Sequence, residues 1–167
     1  MSARALQIRV RRMTPEDVPA VLEIENASFP RPWKAHQFHE EFKRDVSRLY
    51  VAERTSEGAG QLVGYLSAWC VAGEMHILNV ACSPRVRRRG VARQLILQAA
   101  ALAAREDGCT QVFLEVRRSN DGAQALYLTL GFTACGVRPR YYSEENEDAI
   151  LMRADIAEDG TLHPPPP

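Results

Sequence analysis

Five arginines surround a single glycine in the stretch PRVRRRGVARQLI, residues 84–96. The stretch follows an apolar run that ends at Cys82, and a pattern with helical spacing begins at Gly90. The first turn of a helix exposes unpaired backbone N–H groups and carries a partial positive charge, so it can bind an anion. Gly90 and Ala92 have little or no side chain, which lets a phosphate approach closely. The stretch therefore indicates a pyrophosphate site, and a solvated basic turn is the equal alternative.

The overall charge of the chain argues against binding to a nucleic acid. The 167 residues contain 21 Lys and Arg and 21 Asp and Glu. A domain that coats DNA or RNA usually carries a strong basic excess. We therefore expect no direct nucleic-acid partner and assign the arginines to a small anionic ligand. The nucleotide-binding patterns G-x-x-x-x-G-K-[ST] and G-x-G-x-x-G are both absent from the sequence.

Two further residues have side chains suited to proton transfer. Glu115 lies in the middle of QVFLEVRR (111–118), which alternates like a strand with Glu115 among apolar neighbours. A buried carboxylate is costly unless it pairs with a cation or transfers protons, and both readings remain open, with Arg117 or another arginine as the partner. Tyr127 lies in a helical stretch, 120–130, where a tyrosine usually fills the core but needs a partner for its hydroxyl.

The pattern along the chain predicts one α/β domain that positions these residues. Its order is a strand, two helices, three strands, a helix, a strand, a helix and two strands, which gives a mixed sheet with helices packed on its faces. We expect the domain over residues 1–155 and a disordered, proline-rich tail over 156–167. The predicted strands are 7–13, 48–54, 61–72, 75–82, 111–118, 131–137 and 148–154. A first predicted helix begins near Thr14, and three further helices cover 35–45, 90–106 and 120–130.

The remaining chemistry-bearing residues predict neither a metal site nor a secreted protein. The four cysteines lie in apolar stretches without C-x-x-C spacing, as expected for free thiols in a reducing cytosol. His36 and His39 could share a helix face but have no further ligand at metal-binding spacing. The N-terminus has no long apolar run. We therefore expect a cytoplasmic protein that contacts no membrane.

Several motifs resemble those of one enzyme family. Arg87-x-x-Gly90-x-Ala92 matches the Q/R-x-x-G-x-G/A signature of the GNAT N-acetyltransferases, with alanine where many members have glycine and Arg87 where the closest relatives often carry glutamine. LEVRRSN (114–120), ALYLTLGF (125–132) and RYYSEENEDAILM (140–152) are similar to the ribosomal-protein-alanine N-acetyltransferases of the RimI type. The resemblance covers roughly residues 7–154. It implies a single-domain GNAT fold, with a mixed, mostly antiparallel sheet, splayed central strands and helices on both faces.

The resemblance also implies acetyl-CoA as co-substrate, no metal, and direct attack by an amine without a covalent enzyme intermediate. Glu115 would accept the proton of the amine, directly or through water, and Tyr127 would protonate the departing thiolate. Asn120 would cap its helix and also bind the cofactor arm. The other residues implied to bind the cofactor are Val80, Ala81 and Cys82, through backbone pairing with pantetheine, and Arg87, Arg88, Arg89, Gly90, Val91 and Ala92 around the pyrophosphate.

The implied acceptor is the N-terminal α-amine of a protein, with the N-terminal alanine of a basic ribosomal protein as the expected substrate. An α-amine has a pKa of about 7.7–8.0 against about 10.4 for lysine, so it is the easier amine for one carboxylate to deprotonate. The predicted acceptor-binding residues are Tyr141, Tyr142, Glu144 and Glu145, for which a solvated acidic loop is the alternative. Phe29, Pro30 and Trp33 would form an opposite wall or staple two helices to the core.

Two other functions remain as alternatives. The first is a GNAT enzyme that acetylates a lysine or a small amine such as a polyamine or an aminoglycoside. The second is an RNA- or ribosome-binding module without catalysis, which would use Arg85 to Arg93. Neutral net charge and the presence of both Glu115 and Tyr127 argue against this second alternative.

Overall fold

The computed structural model describes residues 4–56 and 58–167 and contains the predicted order of elements. The hydrogen-bonded strand order is β1-β2-β3-β4-β5-β7-β6, with β8 paired to β7. The strands are β1 Ile8–Arg12, β2 Ser47–Arg54, β3 Leu62–Val71, β4 Glu74–Cys82, β5 Gln111–Arg117, β6 Thr133–Tyr142, β7 Glu147–Ile156 and β8 Leu162–His163. The helices are α1 Val18–Ser28, α2 Ala35–Phe42, α3 Val91–Asp107 and α4 Asp121–Thr129, and short 3₁₀ turns cover Pro15–Asp17 and Pro84–Val86.

The sheet is mixed and mostly antiparallel, which confirms the predicted fold class. β4 and β5 run parallel, with Glu74 to Ile77 opposite Gln111 to Leu114. The pairs β1–β2, β2–β3, β5–β7, β6–β7 and β7–β8 are antiparallel. None of the helices in residues 4–56 and 58–167 is both long enough and apolar enough to cross a membrane.

Residues up to Trp69, together with Asn79–Ala99, form a first compact unit. In its core, α1 and α2 pack on β2 and β3 through residues at helical and strand spacing. Phe38 is fully buried and makes edge-on ring contacts with Trp33, at 5.4 Å between ring centres, and with Tyr65, at 5.7 Å. Phe29 and Trp33 pack against the same cluster, which favours the stapling role for these residues.

Two glutamines of α3 satisfy the free edge of β1 in this unit. The amide oxygen of Gln98 accepts from the Val10 N–H at 3.0 Å, and its nitrogen donates to the Ile8 carbonyl at 3.3 Å. One turn earlier, Gln94 donates to the Leu6 carbonyl and accepts from the Ile8 N–H at 3.4 Å. Because backbone groups at a sheet edge otherwise need water, these side chains fix the start of α3 against β1.

Residues Cys70–Leu78 and Ala100–Pro167 form a second compact unit around β5 and β7. Val112, Leu114 and Val116 of β5 are buried, and the alternate residues are half-buried, as the sequence pattern predicts. Seven residues of β5 pair with β7, from Gln111 opposite Asp155 to Arg117 opposite Ala149. Glu115 therefore lies on the half-buried face of a central strand in this unit.

The structure differs from the predicted disorder in the first part of the tail. Ile156 pairs with Leu162 of β8, and its N–H donates to the Thr110 carbonyl at 2.8 Å. Gly160 packs so closely on Ala101 that an added Cβ would lie 3.0 Å from the alanine side chain. The proline-rich composition of the tail led to the prediction of disorder, and the strand pairing of Ile156 with Leu162 was not predicted. Disorder of the final prolines, 164–167, stays a prediction.

Two other boundaries also differ from the sequence patterns. β6 extends to Tyr142, five residues past the predicted end, because a short turn at 143–146 lets it continue pairing with β7. The predicted helix start at Thr14 is a 3₁₀ turn, with α1 beginning at Val18. Asp17 accepts the Thr14 N–H at 2.8 Å, as expected for the predicted capping box.

We expect Gly64→Ala to destabilise the first unit. A Cβ at Gly64 would lie 3.0 Å from the Ala81 carbonyl oxygen and 3.4 Å from side-chain carbons of Val91 and Leu95. Such overpacking costs about 1–3 kcal/mol, measurable by denaturant unfolding. Gly122→Ala is the matched control, since no atom lies within 4 Å of the added methyl. Equal losses of stability in the two variants would contradict the tight approach of α3 to β3 and β4.

Candidate active site

The arginine turn of the first unit lies between the end of β4 and the start of α3. The Ser83 N–H donates to the Val63 carbonyl at 2.8 Å, and Val86 anchors the turn in the core with 4% of its surface exposed. The Leu6 N–H donates to the Arg89 carbonyl at 3.0 Å. These contacts fix the backbone that leads into α3, so the first-turn amides of the helix have a defined direction.

The backbone at Gly90 requires glycine and leaves open space beside it. Its φ is +77°, in the left-handed region that side chains other than glycine rarely adopt. A Cβ built at this position would have only the Gln94 amide nitrogen in range, at 4.0 Å. The site therefore combines helix amides with room for an approaching anion, as the sequence predicts.

The arginines of the turn have different surroundings. Arg89 donates from Nε to the Arg4 carbonyl at 3.4 Å. Arg85, Arg87 and Arg88 are exposed, and within the part of the chain that the structure describes no acidic side chain forms an ion pair with them. Cations that lack an internal partner are available to an external anion. Exposed arginines of this kind fit both a pyrophosphate site and the solvated basic turn, so the pyrophosphate site stays a prediction.

Val80, Ala81 and Cys82 form the last residues of β4, next to the turn. Ala81 is buried, and Val80 and Cys82 are half-buried. Burial raises the pKa of the Cys82 thiol, an effect that the positive charge of Arg87 partly offsets. A thiol with a raised pKa is a poor nucleophile at neutral pH. The Cys82 thiol is therefore poorly suited to covalent catalysis, and the backbone role of this strand end stays a prediction.

In the second unit, Glu115 is paired with a cation that the sequence did not single out. The Arg138 Nε lies 2.8 Å from Glu115 Oε1, and the side chains are 58% and 22% exposed, respectively. The Arg138 guanidinium also lies 5.7 Å from the Tyr141 ring centre. Glu115 is thus both ion-paired and accessible, so its surroundings are compatible with a structural salt bridge and with a role in proton transfer.

Tyr141 and Tyr142 lie beside this ion pair and contact each other edge-on, with ring centres 5.2 Å apart. Partial burial and the neighbouring Glu115 carboxylate raise the pKa of Tyr141. Burial raises the pKa of Tyr142, and the nearby Arg117 charge opposes that change. The Arg117 guanidinium lies 3.9 Å from the Tyr142 ring centre, a close cation–π contact.

Tyr127 of α4 lies near this group. Its ring contacts Phe132, with ring centres 5.8 Å apart, which accounts for the core-filling part of its role. Burial raises the pKa of its hydroxyl, and Tyr142 raises that pKa further. The phenol is therefore protonated at neutral pH and able to donate a proton. Asn120 accepts the Ala123 N–H at 3.1 Å, which confirms its predicted capping role.

The acidic hairpin is partly neutralised by arginines. Arg117 lies 3.4 Å from Glu145 and 3.5 Å from Glu147. Glu147 also accepts the Ser119 N–H at 2.7 Å, and the Ser119 hydroxyl and N–H together lower the pKa of that carboxyl. The hairpin therefore contains ion pairs to Arg117 of β5. It is neither a fully solvated acidic loop nor a rim whose acidic groups are all unpaired. Glu144 belongs to the turn itself.

The predicted residues fall into two sets. The predicted cofactor-binding residues from Val80 to Ala92 belong to the first unit. The second unit brings Glu115, Tyr127, Tyr141 and Tyr142 together. It also contains Asn120 and the acidic hairpin. Among the described residues, no group of three or more His, Cys, Asp or Glu side chains could hold a metal ion.

Sequence reasoning missed three residues that organise these sites. Arg138 lies one position past the predicted end of its strand, so its register with Ala149 was not anticipated. Arg117 was considered only as a partner for Glu115. Glu25, 1% exposed, accepts from the Tyr65 hydroxyl and from the Trp33 N–H at 2.9 Å. A signal for Glu25 is its place on the apolar face of α1 beside Val21 and Ile24.

Comparison with known proteins identifies the family. The model of the acetyltransferase (GNAT) family matches residues 18–132, more than half of the chain. The chain belongs to the GNAT family. GNAT acetyltransferases use acetyl-CoA as co-substrate, which fits the anion site before α3. The predicted family is thus confirmed.

Individual GNAT relatives align over most of the chain. A Bacillus subtilis (strain 168) protein, provisionally named a ribosomal protein bS18-alanine N-acetyltransferase, is 36% identical over 89% of this chain and 96% of its own length. The ribosomal protein bS18-alanine N-acetyltransferase of Salmonella typhimurium (strain LT2) is 32% identical over 84% of this chain and 93% of its own. The crystal structure of the ribosomal-protein-S18-alanine N-acetyltransferase from Escherichia coli has a TM-score of 0.78 and 27% identity, covering 90% of this chain and 95% of that chain.

We expect Gly90→Glu to weaken acetyl-CoA binding by about tenfold or more, or about 1.4 kcal/mol, because the carboxylate repels the pyrophosphate and fills the open space. Gly60→Glu is the matched control. Gly60 also has a positive φ, +87°, with no atom within 4 Å of an added Cβ, so backbone strain is comparable. Calorimetric titration with acetyl-CoA measures both variants. Equal affinities would place the pyrophosphate elsewhere.

Proposed function

We propose that this GNAT protein transfers acetyl from acetyl-CoA to the N-terminal α-amine of a protein, and that the acceptor is the N-terminal alanine of a ribosomal protein. The observation that carries the proposal is the cluster of Glu115 with Tyr127, Tyr141 and Tyr142 in a chain with these relatives. The relatives from Salmonella and Escherichia coli are named for acetylation of that alanine. A ribosomal acceptor also supports a cytoplasmic location.

The reaction needs one proton acceptor and one proton donor. The amine nitrogen attacks the thioester carbon, the new C–N bond forms, and the C–S bond breaks. Glu115 takes the proton from the amine, directly or through water, and Tyr127 gives a proton to the departing sulfur. The raised pKa of Tyr127 supports the donor role, since the phenol keeps its proton at neutral pH.

The cofactor and acceptor would bind to surfaces of opposite charge. Arg87, Arg88 and Arg89, with the amides of Gly90, Val91 and Ala92, would hold the pyrophosphate. Val80, Ala81 and Cys82 would pair through their backbone with the pantetheine arm. Asn120 would add a side-chain hydrogen bond to that arm.

A basic acceptor peptide fits the rim formed by the β6–β7 hairpin. Tyr141, 52% exposed, offers an aromatic surface beside Glu115. Glu144 and Glu145 supply negative charge, and the contact of Glu145 with Arg117 at 3.4 Å is between exposed side chains and therefore weak. Such charges favour a cationic peptide and raise its rate of association.

The proposal is tested by the release of CoA thiol from acetyl-CoA with two basic peptides. One begins with a free alanine amine, and the other has a blocked N-terminus and an internal lysine. We expect release with the first peptide alone, because its amine has the lower pKa. Release with the lysine peptide alone would support the lysine alternative. Release with neither would favour a small-amine acceptor, and RNA retention without CoA binding would favour the non-enzymatic module.

We expect Tyr127→Phe to lower kcat by about tenfold or more, as for loss of a general acid, with the fold intact. Tyr50→Phe is the matched control, since Tyr50 is a fully buried tyrosine of β2 in the other unit. Because the pKa of Tyr127 is raised above the ordinary value of about 10, wild-type kcat should show no alkaline loss from this phenol below about pH 10. Unchanged turnover in Tyr127→Phe would remove it from the donor role.

A further inference from the structure

The carboxylate proposed as the proton acceptor already binds a cation in the free enzyme. Arg138 Nε lies 2.8 Å from Glu115 Oε1, so the two side chains form a close ion pair. The Arg138 side chain is 58% exposed, whereas that of Glu115 is 22% exposed. The guanidinium is therefore the more solvent-exposed member of the pair.

The protonated acceptor amine and the Arg138 guanidinium are both cations that bind to a carboxylate. An α-amine with a pKa of about 7.7–8.0 is mostly an ammonium ion at neutral pH. Ammonium and guanidinium groups both donate charge-assisted hydrogen bonds to carboxylates. Glu115 also raises the pKa of the neighbouring Tyr141, as expected for a phenol beside a carboxylate. An ammonium that reaches Glu115 must therefore compete with Arg138.

We propose that Arg138 occupies, in the free enzyme, the place that the acceptor ammonium takes at Glu115, and that the acceptor displaces it. The inference rests on the proposed function, since it assumes that Glu115 receives the acceptor amine. Arg138 then acts as an exchangeable partner that compensates a half-buried carboxylate until the substrate arrives. After acetyl transfer the product amide carries no positive charge. Glu115 gives the proton that it took up to solvent, and Arg138 then returns to the carboxylate and favours product release.

The contacts of Arg138 are suited to such an exchange. Ion pairs with a solvent-exposed member stabilise weakly, by up to about fivefold in an equilibrium constant, so displacement is easy. The guanidinium also lies 5.7 Å from the Tyr141 ring centre, a contact that it can keep after leaving Glu115. In the register of the sheet, Arg138 lies opposite Ala149, and Glu115 lies opposite Leu151. The side chain thus reaches across β7 to make this ion pair.

A permanent positioning role is the competing explanation, and kinetics separates the two. If Arg138 has left Glu115 in the ternary complex, Arg138→Gln removes only the competitor. We then expect KM for the alanine peptide to fall two- to fivefold, with kcat within about twofold of wild type. If Arg138 holds Glu115 in place during the reaction, kcat falls and KM does not. That second result would overturn the proposal.

Arg140→Gln is the matched control on the same strand. Its side chain is exposed and, among the residues that the structure describes, forms no ion pair. Its backbone N–H, which donates to Asp148 Oδ1 at 2.9 Å, is unchanged by the substitution. The variant has the same net charge as Arg138→Gln, so an equal fall in KM in both would indicate a general charge effect and contradict the proposal.

A direct test uses wild-type protein, so it does not depend on how the variants fold. The Arg138 Nε–H signal is followed by NMR in the presence of CoA, while the alanine peptide is added with a free or an acetylated N-terminus. We expect the free amine to shift this signal toward that of a solvated guanidinium, and the acetylated peptide to leave it in place. A bound free amine that leaves the signal unchanged would overturn the proposal. Absence of thiol release from acetyl-CoA with the same peptide would contradict the proposed function instead.

Discussion

A carboxylate on the half-buried face of a central strand needs polar partners, and the second unit is organised around this requirement. Arg117 of β5 itself does not provide one, since its guanidinium pairs with Glu145 at 3.4 Å and Glu147 at 3.5 Å. The partners come instead from β6, which supplies both Arg138 and Tyr141. A strand two positions away in the sheet thereby controls the group proposed to take up the proton of the amine.

In the first unit, by contrast, the predicted anion site needs polar groups that have no partner within the chain. An anion site needs free helix amides and free cations, so the helix must be held by contacts elsewhere. The close approach at Gly64 and the hydrogen bonds of Gln94 and Gln98 to the edge of β1 supply that support. Stability and binding are thus provided by different parts of α3, and Arg87 and Arg88 remain available to a ligand.

The sequence predicted the secondary structure that depends on local periodicity. It did not predict contacts that depend on the pairing of strands distant in the chain. Periodicity located the strands and helices to within a few residues, and the alternation around Glu115 gave its half-buried face correctly. The partner of Glu115 was not accessible in this way. Arg138 reaches it through the register of two antiparallel strand pairs, and the β6–β7 register contains two shifts that no periodicity encodes. β8 escaped prediction for a similar reason, since its pairing with Ile156 is visible only once β7 is placed.

Neutral net charge conceals two local excesses of opposite sign. Residues 84–93 contain five arginines and no acid, and residues 143–148 contain four acids and no base. A nucleic-acid-binding surface would need the first excess alone, extended over a larger area. An enzyme that joins an anionic co-substrate to a cationic acceptor needs both excesses, each close to its own ligand. Arg138 belongs with this second pattern under the proposal above, because it compensates Glu115, the carboxylate proposed to receive the amine, while no acceptor is bound.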